Sequence, residues 1–247
     1  MARTRLDQLV VARGLAASRE RAQALIIANQ VTVNGKHVTK SGAQVDDADE
    51  IQVKTPDHPW VSRGGLKLVR ALEAFAIDVT GAVALDIGAS TGGFTDVLLH
   101  HGAARVVAID VGHNQIDWKL RQDPRVLVRE GVNARYLTPA DLPDDAQHFD
   151  IVTIDVSFIS LAHILPVVPA LLTPAGRVVA LVKPQFEAGR DDVGKGGIVR
   201  DPAIHQRVID DVTRVAGEVG LKRLGLEPSP IEGAEGNREF LLCLALA

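Results

Sequence analysis

Short apolar runs recur through the later three-quarters of the chain, and their length and spacing predict buried β-strands. Most of the stretches between these runs have the apolar spacing of amphipathic helices, including a helix over residues 95–101. Strands that alternate with helices are typical of an α/β protein with a mainly parallel, doubly wound sheet. The predicted strands are residues 83–87, 105–110, 126–128, 151–154, 178–182, 221–226 and 240–246.

The first sixty residues follow a different pattern, in which two short helices precede a hairpin. The apolar helix positions are Leu6, Leu9, Val10, Ala22, Leu25 and Ile26. Gly14 ends the first helix, and Ser18 is typical of the N-cap of the second. Two segments of alternating apolar and polar residues flank Asn34-Gly35, a dipeptide that favours a tight hairpin turn. The pattern therefore predicts a small α+β module.

The composition of the 247 residues is that of a globular protein, with 46% hydrophobic and 23% charged residues. These values exclude a disordered or collagen-like chain. Cys243 is the only cysteine and cannot form an internal disulfide, which favours a reducing compartment. The nearly uncharged stretch 161–182 contains three prolines, which would break a membrane-spanning helix, and residues 1–10 lack the apolar core of a signal peptide. We therefore expect a cytoplasmic protein that does not enter a membrane. A monomer or a weak dimer is a separate expectation.

Charge is distributed unevenly, although the net charge of the chain is only −4. Residues 1–40 contain seven basic and two acidic residues, which indicates either a face that binds a polyanion or a solvated helix surface. Pro56 and Pro59 then predict a short, stiff linker. The predicted organisation is a first domain over residues 1–56, a linker over 57–61 and a second domain over 62–247.

A glycine-rich turn follows the first predicted strand of the second domain. Asp86 lies near the end of that strand, and Asp110 ends the next strand, 22 residues after Gly88. This βαβ unit predicts a nucleotide-binding crevice in which Asp110 accepts hydrogen bonds from ribose hydroxyls. Asp86 would repel a pyrophosphate but suits the cationic amino group of S-adenosylmethionine. The pattern thus favours a methyltransferase over a dinucleotide-binding enzyme or another nucleotide-binding fold. The turn residues predicted to contact this cofactor are Gly88, Ser90, Thr91, Gly92, Gly93 and Phe94.

Four charged residues lie beside the ends of predicted elements. Lys67 is at the start of a helix, and Glu239 directly precedes the last strand. Asp155 and Lys183 each follow a strand. Because the carboxyl ends of parallel strands meet at one edge of a sheet, we expect these two side chains to be neighbours. The alternative is that the four charges flank separate strands and do not act together.

The first 56 residues resemble the S-four RNA-binding domain. The resemblance rests on positions that include Arg5-Leu6-Asp7, Gly14-Leu15, Ser18-Arg19 and Asn34-Gly35. It implies that the helix that begins with Ser18-Arg19 lies on structured RNA, where arginine can pair with phosphate through two N–H groups. Any one of these basic residues could instead belong to a salt-bridged helix face. The implied phosphate contacts are Arg5, Arg19, Arg21 and Lys36.

The four charged residues of the second domain resemble the K-D-K-E tetrad of the FtsJ-like RNA 2′-O-methyltransferases. Together with the S-four-like module, they make the whole chain similar to the TlyA family, also called hemolysin A. The stretches that carry this resemblance are SRGGLKL (62–68), DIGASTGGFTD (86–96), DVGHNQIDWKLR (110–121), TIDVSFISL (153–161), LVKPQFEAGR (181–190), VGKGGIVRDP (193–202) and SPIEGAEGNREFLL (229–242).

The resemblance implies both a reaction and roles for individual residues. Members of this family methylate cytidine 2′-hydroxyls of ribosomal RNA, which implies S-adenosylmethionine as the cofactor and a ribosomal subunit as the partner. Large-subunit RNA is favoured, because family members that act on both subunits have extra residues at both ends. Lys183 would be a base or only a hydroxyl anchor, and Lys67 would orient the ribose. Asp155 and Glu239 would hold the two lysines. Further implied contacts are Val111, Glu130, Asn133 and Asp155 with the cofactor and Arg63 with RNA.

Two other functions remain open at this point, a non-catalytic RNA-binding or ribosome-assembly factor and a lytic protein. Methylation of a base carbon is disfavoured, because it needs a cysteine nucleophile and Cys243 lies inside a predicted strand. No metal is predicted, because the eight histidines lack the spacing of metal ligands. Residues 189–197 are predicted to form either a mobile loop on the substrate side or a surface loop without a role in the reaction.

Overall fold

The computed structural model describes residues 3–16, 18–53, 58–143, 146–233 and 236–247. Its contacts divide the chain into two compact units, Met1–Pro59 and Trp60–Ala247. The core of the first unit is formed by its own helices and strands, and the second unit has two core clusters. The expected linker over residues 57–61 begins at Asp57, which lies outside the described residues. None of the described helices is long and apolar enough to cross a membrane.

The first unit combines two short helices with two small antiparallel sheets. Its elements are β1 (Arg3–Arg5), α1 (Leu6–Ala12), α2 (Arg19–Ile27), β2 (Val31–Val33), β3 (Lys36–His37), β4 (Gln44–Asp46) and β5 (Ile51–Val53). The Ser18 hydroxyl accepts a hydrogen bond from the Arg21 amide at 3.2 Å, which confirms the predicted N-cap. Asn34 and Gly35 have φ angles of 50° and 73°. Both are left-handed, as a two-residue type I′ hairpin turn requires.

The second unit is built around one seven-stranded sheet, in the order β11-β12-β10-β9-β6-β7-β8. Only β12 runs antiparallel to its neighbours, so the predicted mainly parallel α/β fold is confirmed. The elements of this unit are α3 (Gly64–Ala74), β6 (Val83–Ile87), α4 (Gly93–His100), β7 (Arg105–Asp110), α5 (Trp118–Arg121), β8 (Val126–Glu130), β9 (Phe149–Ile154), β10 (Leu172–Val182), α6 (Pro184–Glu187), α7 (Pro202–Glu218), β11 (Leu221–Pro228) and β12 (Phe240–Leu246).

Both faces of this sheet are covered by apolar packing. Leu85 and Val107 belong to one core cluster, whereas the adjacent Ala84 and Val106 belong to the other. Successive side chains of a strand point to opposite faces, so a strand that is buried on both faces is apolar without interruption. This explains the continuous apolar runs of β6 and β7. Because the faces of the sheet are buried and apolar, polar side chains are expected at its carboxyl edge, where the parallel strands end.

Candidate functional site

Lys183 and Asp155 meet at the carboxyl edge of the sheet. They directly follow the parallel neighbours β10 and β9, and the Lys183 Nζ lies 2.6 Å from Asp155 Oδ1. The predicted proximity of the two is therefore confirmed. The same ammonium donates a hydrogen bond to the Ser157 hydroxyl at 2.9 Å. Lys183 is only 8% exposed, so these contacts compensate a charge that is largely removed from water.

Lys67 and Glu239 form a second buried ion pair. Lys67 lies in the first turn of α3, Glu239 lies directly before β12, and the Lys67 Nζ is 2.5 Å from Glu239 Oε2. Their exposures are 8% and 4%. A Cβ atom added at Gly233 would overlap the Glu239 carboxylate, so the backbone packs directly against this pair. Within the described ranges, no hydrogen bond or ion pair joins it to the Lys183–Asp155 pair.

A cavity of about 380 Å³ opens along the ends of β6, β7 and β9. Its wall is largely apolar, with Ile87, Ile109 and Val132 among its lining residues. Such a surface, with a few carboxylates and hydroxyls at its edge, is typical of a nucleoside site. Six of the predicted cofactor residues line this cavity: Gly88, Ser90, Asp110, Val111, Asn133 and Asp155.

Asp110 and Gly88 give this cavity its polar edge and its shape. The Asp110 carboxylate accepts backbone hydrogen bonds from Ser90 at 2.8 Å and Gly112 at 2.7 Å, which hold it at the strand end with further lone pairs available. Gly88 has a φ angle of 83°, and a Cβ atom at this position would lie 2.6 Å from the Asp155 carbonyl oxygen. Only glycine therefore allows the turn to approach Asp155 this closely.

A smaller cavity of about 180 Å³ adjoins the first and contains Lys183 in its wall. Gly88, Ser90, Asp155 and Ser157 line both cavities. The predicted turn residues Thr91, Gly93 and Phe94 line the smaller one, together with Ser62 and Gly64. The wall common to the two cavities thus contains Asp155 and Ser157, the two residues that contact the Lys183 ammonium.

Three of the predicted cofactor residues lie behind the cavity walls. Asp86 accepts hydrogen bonds from the hydroxyls of Thr95 at 2.7 Å and Thr153 at 2.9 Å, and burial raises the pKa of its carboxyl to about 6. Gly92 caps α4 with a φ angle of 93°, and Glu130 is paired with the Arg121 guanidinium at 2.7 Å. None of the three lines either cavity. They support the residues that do.

Asp86 lies there because side chains alternate along β6. Asp86 shares a face of the strand with Ala84, which packs in the same core cluster as residues of α4. Thr95 of α4 then donates to the Asp86 carboxylate from that side. The carboxyl is thus held beneath the glycine-rich turn, away from the cavity into which the sequence pattern placed it.

In the first unit, the predicted RNA-contacting residues fall into two groups. Arg5 and Arg19 both pair with the fully buried Asp7, at 2.9 and 3.0 Å. The hydrogen bond from Arg5, followed by those from Gln23 and Arg19, holds the pKa of Asp7 well below its usual range. Arg21 and Lys36 are exposed, and in the described part of this unit no side chain pairs with theirs. In the second unit, Arg63 is exposed just before α3.

Ser157 and Phe158 are two residues of this site that the sequence pattern does not predict. Ser157 holds the Lys183 ammonium, as described above. Phe158 lines the larger cavity, is 91% exposed and has a φ angle of 63°. A left-handed backbone is unfavourable for a large side chain, and such strain persists where the surroundings enforce it. The one available signal was an aromatic residue in a segment that directly follows a buried strand.

Comparisons with known proteins support the two-part organisation of the chain. The FtsJ-like methyltransferase model matches residues 60–246, and the S4 domain model, which describes the S-four domain, matches residues 4–51. The 16S/23S rRNA (cytidine-2′-O)-methyltransferase TlyA of Mycobacterium tuberculosis is 49% identical over 98% of this chain and 90% of its own length. The chain belongs to the TlyA family. It is accordingly a methyltransferase with an S4 domain, as the sequence resemblance implied.

Other TlyA-like proteins match over most of the chain. A candidate rRNA methyltransferase of Bacillus subtilis, YqxC, is 51% identical over 97% of this chain and 85% of its own length. The solved structure of a candidate hemolysin from Streptococcus thermophilus is 47% identical. It covers 100% of this chain and 90% of its own, with a TM-score of 0.77. The shared fold thus extends over both units of the TlyA-family chain.

Proposed function

We propose that the protein transfers a methyl group from S-adenosylmethionine to the 2′-hydroxyl of a cytidine in ribosomal RNA. The observation that carries this proposal is the Lys183 ammonium, held by Asp155 and Ser157 where two cavities share a wall. Large-subunit RNA is the favoured target. Small-subunit RNA is the necessary comparison, because the name of the Mycobacterium tuberculosis relative gives both.

The larger cavity fits S-adenosylmethionine. Gly88 lets the turn pack closely against Asp155 in the cavity wall, and Asp110 offers a carboxylate at the strand end for ribose hydroxyls. The apolar wall beside Asn133 suits an adenine ring. When bound, the cofactor supplies an electrophilic methyl group. Asp86, behind the turn, acts on this site by fixing the backbone through Thr95 and Thr153.

The smaller cavity would hold the target ribose next to Lys183. A ribose hydroxyl is a poor nucleophile near neutral pH, so its oxygen must be oriented and its proton accepted. Ser157 accepts one N–H of the ammonium and Asp155 pairs with its charge, so an N–H of Lys183 would be available to donate to the hydroxyl oxygen. Because the protonated Lys183 has no lone pair, the hydroxyl proton would pass to the Asp155 carboxylate as the oxygen takes up the methyl group. Lys67 and Glu239 line neither cavity, so in place of the expected contact of Lys67 with the ribose we propose that this pair holds α3 against the start of β12.

Transfer to a base carbon does not fit this site. That reaction needs a cysteine thiolate, and Cys243 is 1% exposed inside β12. Burial raises the pKa of its thiol to about 11, so the thiol stays protonated and packed in the core near neutral pH. A transferred methyl group is therefore expected on the ribose.

Purified protein, labelled S-adenosylmethionine and isolated ribosomal subunits test the proposal directly. We expect label in ribosomal RNA, at a cytidine ribose, with the large subunit labelled first. A protein that binds subunits but transfers no label to either would be a non-catalytic assembly factor. Dye release from liposomes by the purified protein alone would instead support the lytic alternative.

Replacing Asp110 with alanine should weaken S-adenosylmethionine binding by about 1.5–3 kcal/mol, the range for hydrogen bonds to a charged group. The loss combines the missing ribose contact with release of the Ser90 and Gly112 amides. Isothermal calorimetry measures the affinity. Asp78→Ala is the matched control, because Asp78 is exposed and precedes β6 at the opposite edge of the sheet. Equal affinity of Asp110→Ala and wild type would remove Asp110 from this role.

Reversing Arg21 and Lys36 to glutamate should weaken binding to ribosomal subunits and leave cofactor binding intact. Two lost phosphate contacts reduce the slope of log affinity against log salt by about 1.5. Arg19 is unsuitable for this test, because a glutamate there would face the buried Asp7 carboxylate. Lys222→Glu on β11 is the control. Unchanged affinity of the double variant at every salt concentration would refute the RNA contact at these two positions.

A further inference from the structure

Glu187 is a half-buried carboxylate close to the site that the proposed reaction does not use. It is the last residue of α6, the short helix that begins directly after Lys183. One oxygen accepts a hydrogen bond from the Ser160 hydroxyl at 2.6 Å, and the other accepts one from the Leu161 amide at 2.8 Å. Burial raises the pKa of this carboxyl, so the protein keeps a group here that is costly to ionise.

The two partners of Glu187 belong to the segment that follows β9. That segment starts with Asp155 and Ser157, the two groups that hold Lys183. Glu187 therefore joins the chain that follows β10 to the chain that follows β9. The contacts of Lys183 with Asp155 and Ser157 join the same two segments as the contacts of Glu187 with Ser160 and Leu161. The two sets of contacts lie several residues apart along each segment.

A third contact lies between these two. The rings of Phe158 and Phe186 pack with their centroids 5.1 Å apart, and the Lys183 Nζ lies 5.9 Å from the Phe186 centroid. Phe158 has a left-handed backbone, which the segment would not adopt without restraint. Glu187 restrains the same segment two and three residues later, at Ser160 and Leu161. The carboxylate is thus placed to maintain the turn that brings Ser157 to Lys183.

We propose that Glu187 is a positioning residue that holds the segment after β9, so that Asp155 and Ser157 together orient the Lys183 ammonium. This inference rests on the proposed methyl transfer. The role depends on the reach of the side chain to two donors rather than on its charge. Glutamine keeps that reach, because its amide oxygen can accept from Leu161 and its amino group can donate to the Ser160 hydroxyl. Aspartate is one methylene shorter and cannot reach both.

The test compares Glu187→Ala, Glu187→Gln and Glu187→Asp in single-turnover methyl transfer to ribosomal subunits, normalised to the number of sites that bind S-adenosylmethionine. Alanine and aspartate should lower the rate constant about 10- to 100-fold, the scale of a small misplacement of reacting groups. Glutamine should stay within about threefold of wild type, and the KM for the subunit should change little in all three. Glu227→Gln is the control, because that carboxylate pairs with Arg70 outside the site.

Two results would overturn the inference. One is a wild-type rate per active site in Glu187→Ala, which would reduce Glu187 to a stabilising contact. The other is an aspartate variant that works while the glutamine variant fails, which would mean that charge and not reach matters. If wild-type protein methylates no ribosomal RNA, the proposed function fails, and amide hydrogen exchange over residues 155–161 still tests the inference. Glu187→Ala should then accelerate exchange in this segment, and unchanged exchange would contradict it.

Discussion

Lys183→Ala is expected to lower the single-turnover rate of methyl transfer by roughly 10²-fold or more, the scale of a positioned acid–base group. Lys183 lines the smaller cavity and pairs with Asp155, which lines both cavities, and alanine leaves the ribose oxygen without its proposed anchor. The substitution removes a side chain at the end of β10 and no part of the two core clusters. Folding, cofactor affinity and subunit binding should therefore be retained.

Two further variants sharpen the Lys183 experiment. Lys183→Arg should also be poor, because the guanidinium is planar, remains protonated and cannot reproduce the compact ammonium between Asp155 and Ser157. Lys222→Ala, on the exposed side of β11, should transfer methyl groups at the wild-type rate. A near-normal rate for Lys183→Ala would refute the role of the tetrad while leaving the family membership intact.

Glu239→Ala is expected to destabilise the second unit by about 3–5 kcal/mol, because it leaves the buried Lys67 ammonium without a partner. Lys67→Met should also destabilise the unit, because it leaves the buried Glu239 carboxylate without a partner. Urea unfolding followed by circular dichroism measures both values.

The double variant Lys67→Met/Glu239→Ala separates the free energy of the ion pair from the other contributions of the two side chains. It should be more stable than Glu239→Ala alone, because the unpaired buried charge is then absent. Glu227→Ala, which breaks the partly exposed Arg70–Glu227 pair, should cost only about 0–1 kcal/mol. Strictly additive losses in the double variant would show that Lys67 and Glu239 do not interact as the structure places them.

The strands of the second unit could be predicted because burial on both faces makes them apolar throughout. β12 has the predicted bounds, since its seven residues are all apolar and Glu239 precedes them. β10 begins at Leu172, six residues before the predicted start at 178. Pro174 and Gly176 interrupt the apolar pattern there, although the strand continues through a register irregularity.

Those parts of the site that lie at the ends of strands could be predicted from the sequence. Asp155 and Lys183 end parallel neighbours, so their proximity follows from topology alone. Topology does not determine the direction in which a side chain points. Asp86 lies beneath the turn because Thr95 of α4 and Thr153 of β9 donate hydrogen bonds to its carboxylate there. The ion-pair partner of a surface charge cannot be predicted from the local sequence either.

Arg5 and Arg19 illustrate this second limit. Their common partner, Asp7, lies on the buried side of α1, and nothing in the local pattern of charges distinguishes it from an exposed acid. Arg5 and Arg19 therefore fit the alternative stated for the sequence, in which a basic residue belongs to a salt-bridged helix face. The exposed Arg21 and Lys36 are the better candidates for phosphate contacts.

Mapping of ribose methylation in the source organism tests the central claim most directly. A strain that lacks the gene should lose a 2′-O-methyl group from a cytidine of ribosomal RNA, in the large subunit first. The wild-type gene should restore this modification, and the Lys183→Ala gene, expressed to the same level, should not. Ribosomal RNA with unchanged ribose methylation in the deletion strain, or restoration of the methyl group by the Lys183→Ala gene, would contradict the account.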